Sequence, residues 1–75
     1  MSAQPDGFTV ILEQPDFIIV NKMIDIDMHD DEGVPGLVSR VSAFLGIHVY
    51  PVHRLDKVTS GLVLLAKNKE ANRTL

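Results

Sequence analysis

His53-Arg-Leu-Asp56-Lys-Val-Thr-Ser-Gly61-Leu-Val-Leu-Leu-Ala-Lys67 sets an arginine and a carboxylate two positions apart, just ahead of a glycine and an apolar run. From Ser60 to Lys67 the run is apolar on consecutive rather than alternate positions, the pattern of a strand covered on both faces. A polar loop delivered against a rigid strand is a common setting for reactive groups, because the strand fixes the loop's base while its side chains stay accessible. Thr59 and Ser60 can bond nearby backbone or carboxylate oxygens and steady such a loop. Gly61 permits close approach of another backbone or an unusual dihedral. These residue types equally allow an Asp56–Arg54 ion pair that ties down a turn. Physical chemistry alone leaves both readings open.

A strand of this kind needs partners, and the upstream chain offers them. Phe8-Thr-Val-Ile-Leu-Glu13 and Phe17-Ile-Ile-Val-Asn-Lys22 are rich in β-branched and aromatic residues and read as strands. Between them, Gln14-Pro15-Asp16 is a turn, since proline presets one dihedral and aspartate can bond its own backbone. The pair therefore reads as a hairpin. Met23 to Gly33 has no regular period and reads as a loop. Pro35 suits a first helical turn, where its missing N–H costs nothing. Leu37, Val38, Val41, Phe44 and Leu45 then recur at helical spacing and form one apolar stripe, which is expected to lie against the core. Gly46 ends that helix, as the residue best able to turn left-handed. Ile47 to Val52, with Pro51 inside it, is an edge strand or an irregular stretch. Asn68 can cap a last helix, with Glu70 favourably placed in its first turn. Residues 1 to 7 read as a disordered lead-in and residues 8 to 75 as one folding unit. The expected class is α+β: a mixed, mostly antiparallel sheet with packed helices.

Composition limits what such a unit can be. A chain of 75 residues buries roughly 60% of its unfolded surface, so its own stability is small. With no cysteine, neither disulfides nor thiolate metal sites are available. The longest apolar stretches are far too short to cross a bilayer, and residues 1 to 7 lack the basic-then-apolar order of a signal peptide. These features point to a soluble, cytoplasmic protein. The formal charge of −3 opposes a general nucleic-acid binder, which needs cations to neutralise phosphates. That charge is not evenly spread. Acid gathers in Asp25 to Glu32, whereas Arg54, Lys57, Lys67, Lys69 and Arg73 follow later.

The acidic stretch, with Asp25, Asp27, Asp30, Asp31, Glu32 and His29, raises the question of a divalent cation. Its spacing lacks the glycine and terminal glutamate of a calcium loop, so it reads as a solvated loop without metal. His29 and His48 read as surface or packing residues, and Met23 and Met28 as gap-fillers near the hairpin.

The His53–Lys67 stretch resembles the RluA family of pseudouridine synthases: HRLD, two further residues, TSGL, then an apolar run ending in Ala-Lys. The resemblance reaches back through the helix and the hairpin ending in Val20-Asn-Lys22, and so extends over almost the whole chain from Phe8. It implies the first portion of a catalytic domain that isomerises uridine in ribosomal or transfer RNA. Asp56 would be the catalytic residue, either attacking the anomeric carbon or removing a sugar proton. Arg54 would occupy space around the flipped nucleotide, and His53 and Leu55 would be scaffold. The isomerisation implies no cofactor and no metal, RNA as partner, no membrane, and a monomer when complete. Two departures accompany the match. Relatives usually carry Lys-Pro and then glycine where this chain has Lys22-Met-Ile-Asp25, so that loop is expected to differ or to be more mobile. They also supply an aromatic and a basic residue further along the domain, and Tyr50 does not occupy the matching position. A non-catalytic RNA-binding module on the same scaffold is the rival expectation.

Overall fold

The computed structural model describes residues 6–53 and 59–74. Three six-residue strands form its body: β1 (Phe8–Glu13), β2 (Phe17–Lys22) and β4 (Gly61–Ala66), with the two-residue β3 (Tyr50–Pro51) between them in the chain. Two helices accompany them, α1 (Leu37–Leu45) and α2 (Lys69–Thr74). The strands make one sheet in the order β1-β2-β4-β3, and every described pairing in it is antiparallel.

The first hairpin forms where the sequence predicts it. Gln14 N–H donates to the Phe17 carbonyl at 2.8 Å, closing the turn, and Lys67 N–H donates to the Asp16 carbonyl at 2.8 Å, tying the turn to the far end of β4. The register between β1 and β2 slips between Val10 and Leu12, so Ile11 is the extra residue of a bulge. The β2–β4 ladder runs without interruption from Phe17↔Ala66 to Lys22↔Gly61.

Side chains alternate across a sheet, so Ile18, Val20, Val63 and Leu65 share one face and are wholly buried there. Helix α1 covers that face with Leu37, Val38 and Val41. Phe44 reaches the Phe8 ring edge-on, with centroids 5.7 Å apart. Each aliphatic side chain so buried contributes about 1.5–3 kcal/mol. The opposite face is more open among the described residues. Leu62 remains 58% exposed and Leu64 is half-buried. The consecutive apolar pattern of Ser60 to Lys67 therefore overstated the burial of β4: Val63 and Leu65 lie in the core beneath α1, while Leu62 on the other face stays exposed.

Helix α1 begins just after Pro35, which precedes its cap rather than lying in its first turn. Gly36 is its N-cap and Leu37 its first residue, while the Pro35 carbonyl accepts the Arg40 Nε–H at 2.9 Å. Gly46 closes the helix with φ 75 and donates its N–H to the Ser42 carbonyl, the left-handed ending glycine favours. Asn68 caps α2 as expected, its side-chain oxygen accepting the Ala71 N–H at 2.7 Å. Asp6 and Gly7, read as the end of the lead-in, are held in place. Asp6 pairs with Arg40 at 2.8 Å, and the Gly7 carbonyl accepts the Met23 N–H at 3.0 Å. Of the two methionines near the hairpin, Met28 fills the core and Met23 is about half exposed.

Candidate active site

Antiparallel pairing sets the geometry of the site. Because Lys22, the last residue of β2, lies opposite Gly61, the first of β4, two segments share one end of the sheet. One is residues 23–36, leaving β2 for α1. The other is residues 52–60, leaving β3 for β4 and carrying the HRLD stretch. Arg54, Leu55 and Asp56 lie outside the described residues.

The flanks of that second segment are well defined. Val52 N–H donates to the Leu64 carbonyl at 3.1 Å. Leu64 N–H donates to the imidazole Nε2 of His53 at 3.1 Å. On the return, Thr59 and Ser60 are exposed and Gly61 enters β4 with φ 147, a dihedral that an L side chain rarely tolerates. Gly61 thus earns its place by backbone conformation at the point where the loop becomes strand.

The first segment is held along its length. Lys22 is fully buried, and its ammonium donates to the carbonyls of Met23 at 3.1 Å and Ile26 at 2.7 Å. Buried cations need such partners to offset lost hydration. Leu37 and Val38 donate their N–H groups to the Asp27 and Met28 carbonyls, so the first donors of α1 are taken by backbone of the same segment. Asp30 Oδ1 accepts the Gly36 N–H at 2.9 Å and the Ser39 hydroxyl at 2.6 Å. The Ser39 bond, then the Gly36 bond, holds the Asp30 carboxyl below its ordinary range. Asp25 takes φ 67, so the chain makes a left-handed turn there, a conformation that glycine adopts most readily. Asp25, Asp27, Asp31 and Glu32 line a cleft of about 210 Å³ with Arg40, whose guanidinium is engaged by Asp6 and Pro35.

Burial of Lys22 and the bond from Leu64 to His53 were not legible beforehand. A lysine closing an apolar strand carries no sequence signal for inward orientation, and a histidine's acceptor role depends on a strand eleven residues away.

Residues 16–75 match the family model described as RNA pseudouridylate synthase. This chain belongs to the RNA pseudouridylate synthase family. An "Uncharacterized RNA pseudouridine synthase" from Haemophilus influenzae is 48% identical over 63 residues, covering 83% of this chain and 28% of the relative. "Ribosomal large subunit pseudouridine synthase D" of Escherichia coli is 39% identical over 77 residues, covering 88% and 22%. The "tRNA pseudouridine(31) synthase" of Saccharomyces cerevisiae is 30% identical over 66 residues, covering 87% and 16%. The pseudouridine synthase fold is shared with "Human RNA Pseudouridylate Synthase Domain Containing 1", with a TM-score of 0.75 at 23% identity over 97% of this chain and 27% of that one. The chain therefore spans between 16% and 28% of the length of these curated relatives.

Proposed function

We propose that the full-length gene product isomerises uridine to pseudouridine in a ribosomal or transfer RNA, with Asp56 as its catalytic residue. The observation that carries this reading is the intact HRLD-to-TSGL stretch joining β3 to β4 in a chain of this family. The bond between the ribose anomeric carbon and the uracil nitrogen breaks, the base turns, and a carbon of the base takes the nitrogen's place. The base's carbon-bound proton leaves and its nitrogen gains one, so nothing is oxidised and no cofactor is required. Asp56 supplies the carboxylate for attack on the anomeric carbon or for removal of a sugar proton.

A uridine in folded RNA must leave its stack, which costs a few kcal/mol. Arg54 is the residue we assign to offset that cost, since a planar guanidinium both stacks and binds phosphate. The relatives, which include a ribosomal and a transfer RNA enzyme by name, support the substrate class. We place the enzyme in the cytoplasm as a monomer; among the described residues no helix is long and apolar enough to cross a membrane. The formal charge of −3 favours a second reading, an RNA-binding module without turnover.

One experiment separates the two. Full-length protein is incubated with unmodified ribosomal and transfer RNA, and pseudouridine is measured by selective chemical labelling and mass spectrometry. Turnover is expected, and Asp56→Asn is expected to reduce it by roughly 1,000-fold or more, equivalent to about 4 kcal/mol of barrier. RNA affinity should change little. Binding without turnover in the wild type supports the module, and substantial activity in folded Asp56→Asn removes the catalytic assignment.

A further inference from the structure

The pairing of β3 with β4 runs Tyr50↔Ala66 and Pro51↔Leu65, which brings Val52 opposite Leu64 next. An antiparallel ladder at such a position exchanges two hydrogen bonds between the facing residues. Only half of that exchange is made with Val52, whose N–H donates to the Leu64 carbonyl at 3.1 Å. The Leu64 N–H goes instead to His53 Nε2, also at 3.1 Å. An imidazole side chain stands in for a strand carbonyl.

We propose that His53 is a positioning residue that anchors the base of the catalytic loop to β4. Its bond completes the ladder while freeing the backbone to leave the sheet at His53, three positions before Asp56. The return is fixed at Gly61, opposite Lys22. The described residues on either side of Asp56 are thus both set on one strand, His53 at Leu64 and Gly61 as the first residue of β4, two points roughly 10 Å apart at the ordinary rise per residue. An imidazole nitrogen accepts a hydrogen bond only when it carries no proton, so this bond calls for the Nδ1–H tautomer of His53. A protonated or Nε2–H imidazole would set two donors against each other and release the anchor. This inference rests on the reading of Asp56 as the catalytic residue. Displacements of about 1 Å at a reacting group can reduce rate on the order of 100-fold.

The test reads the anchor and its consequence separately. Nitrogen-15 spectra of the wild-type protein in mildly alkaline buffer should show His53 as the Nδ1–H tautomer, with a coupling from Nε2 across the hydrogen bond to the Leu64 N–H. His53→Ala should lower kcat by roughly 10- to 100-fold with KM for RNA nearly unchanged. His53→Gln, which offers an amide oxygen near the depth of Nε2, should restore most of kcat and keep the Leu64 amide protected from exchange. A merely structural histidine would lower the melting midpoint without separating kcat from KM. An Nε2–H tautomer in the wild type, or wild-type kcat in His53→Ala, overturns the anchor. Wild-type protein that makes no pseudouridine overturns the proposed function instead, and the tautomer reads the anchor regardless.

Discussion

Two segments meet at one end of the sheet and are built on opposite plans. Residues 23–36 are bound along their length: Lys22 grips two carbonyls from within, the Asp27 and Met28 carbonyls take the first donors of α1, and Asp30 fastens Gly36 and Ser39. Residues 52–60 are fastened at their flanks, by His53 to Leu64 and by Gly61 to Lys22. The cleft of the first segment is lined by Asp25, Asp27, Asp31 and Glu32 together with Arg40. On the reading proposed above, the difference makes one segment a wall and the other the presenter of the reactive group. Substitutions in the wall should then register as stability, and those in the presenter as binding and rate.

The strongest challenge to that division is Gly36→Ala. Gly36 has φ −85 and ψ −177, an extended conformation open to any residue, so space rather than dihedral is what demands glycine. A methyl there would lie 2.4 Å from the His29 carbonyl oxygen. Backbone must move, and we expect a loss of about 3 kcal/mol in denaturant unfolding; an unchanged midpoint would remove the wall from the comparison. Arg54→Ala should behave in the contrary way. We expect roughly 1–3 kcal/mol weaker productive binding of structured RNA, a defect that shrinks on a short unstructured RNA, and an unaltered melting midpoint. Parallel losses of stability in Arg54→Ala and Asp56→Asn would instead mark a structural ion pair.

A smaller effect comes from Asp30. Its carboxyl titrates below the ordinary value of 3.8, chiefly through the Ser39 hydroxyl and then the Gly36 N–H. The stabilisation it provides is present above the unfolded-state value and is lost as pH falls through the lower folded-state value. Melting midpoints followed from about pH 5 down to about pH 2 should therefore fall more steeply in the wild type than in Asp30→Asn; parallel curves would show that the carboxylate does not fasten the wall. The smallest effect belongs to Asp25→Gly. Glycine takes the left-handed turn at φ 67 without the side-chain clash, but it also loosens the unfolded chain. A net gain of about 0.5 kcal/mol is expected, and a loss would show that the Asp25 side chain holds the turn.

The hairpin, the α1 stripe and the caps at Gly46 and Asn68 were legible in the sequence because each is set by neighbours along the chain. Period, turn chemistry and capping act over a few residues, and the HRLD-to-TSGL spacing belongs to the same local kind. The loop at Lys22–Asp25 was expected to differ without its proline and glycine. The structure shows one device by which it is shaped: Asp25 adopts the left-handed turn itself.

The sequence by itself determined the elements, the class and the family resemblance, since these follow from local propensities and a contiguous motif. Only the tertiary structure decided that Lys22 faces inward, that β4 buries Val63 and Leu65 while Leu62 stays exposed, and that His53 completes a ladder on Leu64. Those facts depend on which strand lies beside which and in what register. A single-residue slip between β2 and β4 would turn Lys22 outward, and a ladder ending one pair later would leave His53 no donor to accept. Register is fixed by pairing between residues far apart in the chain, where local patterns carry no information.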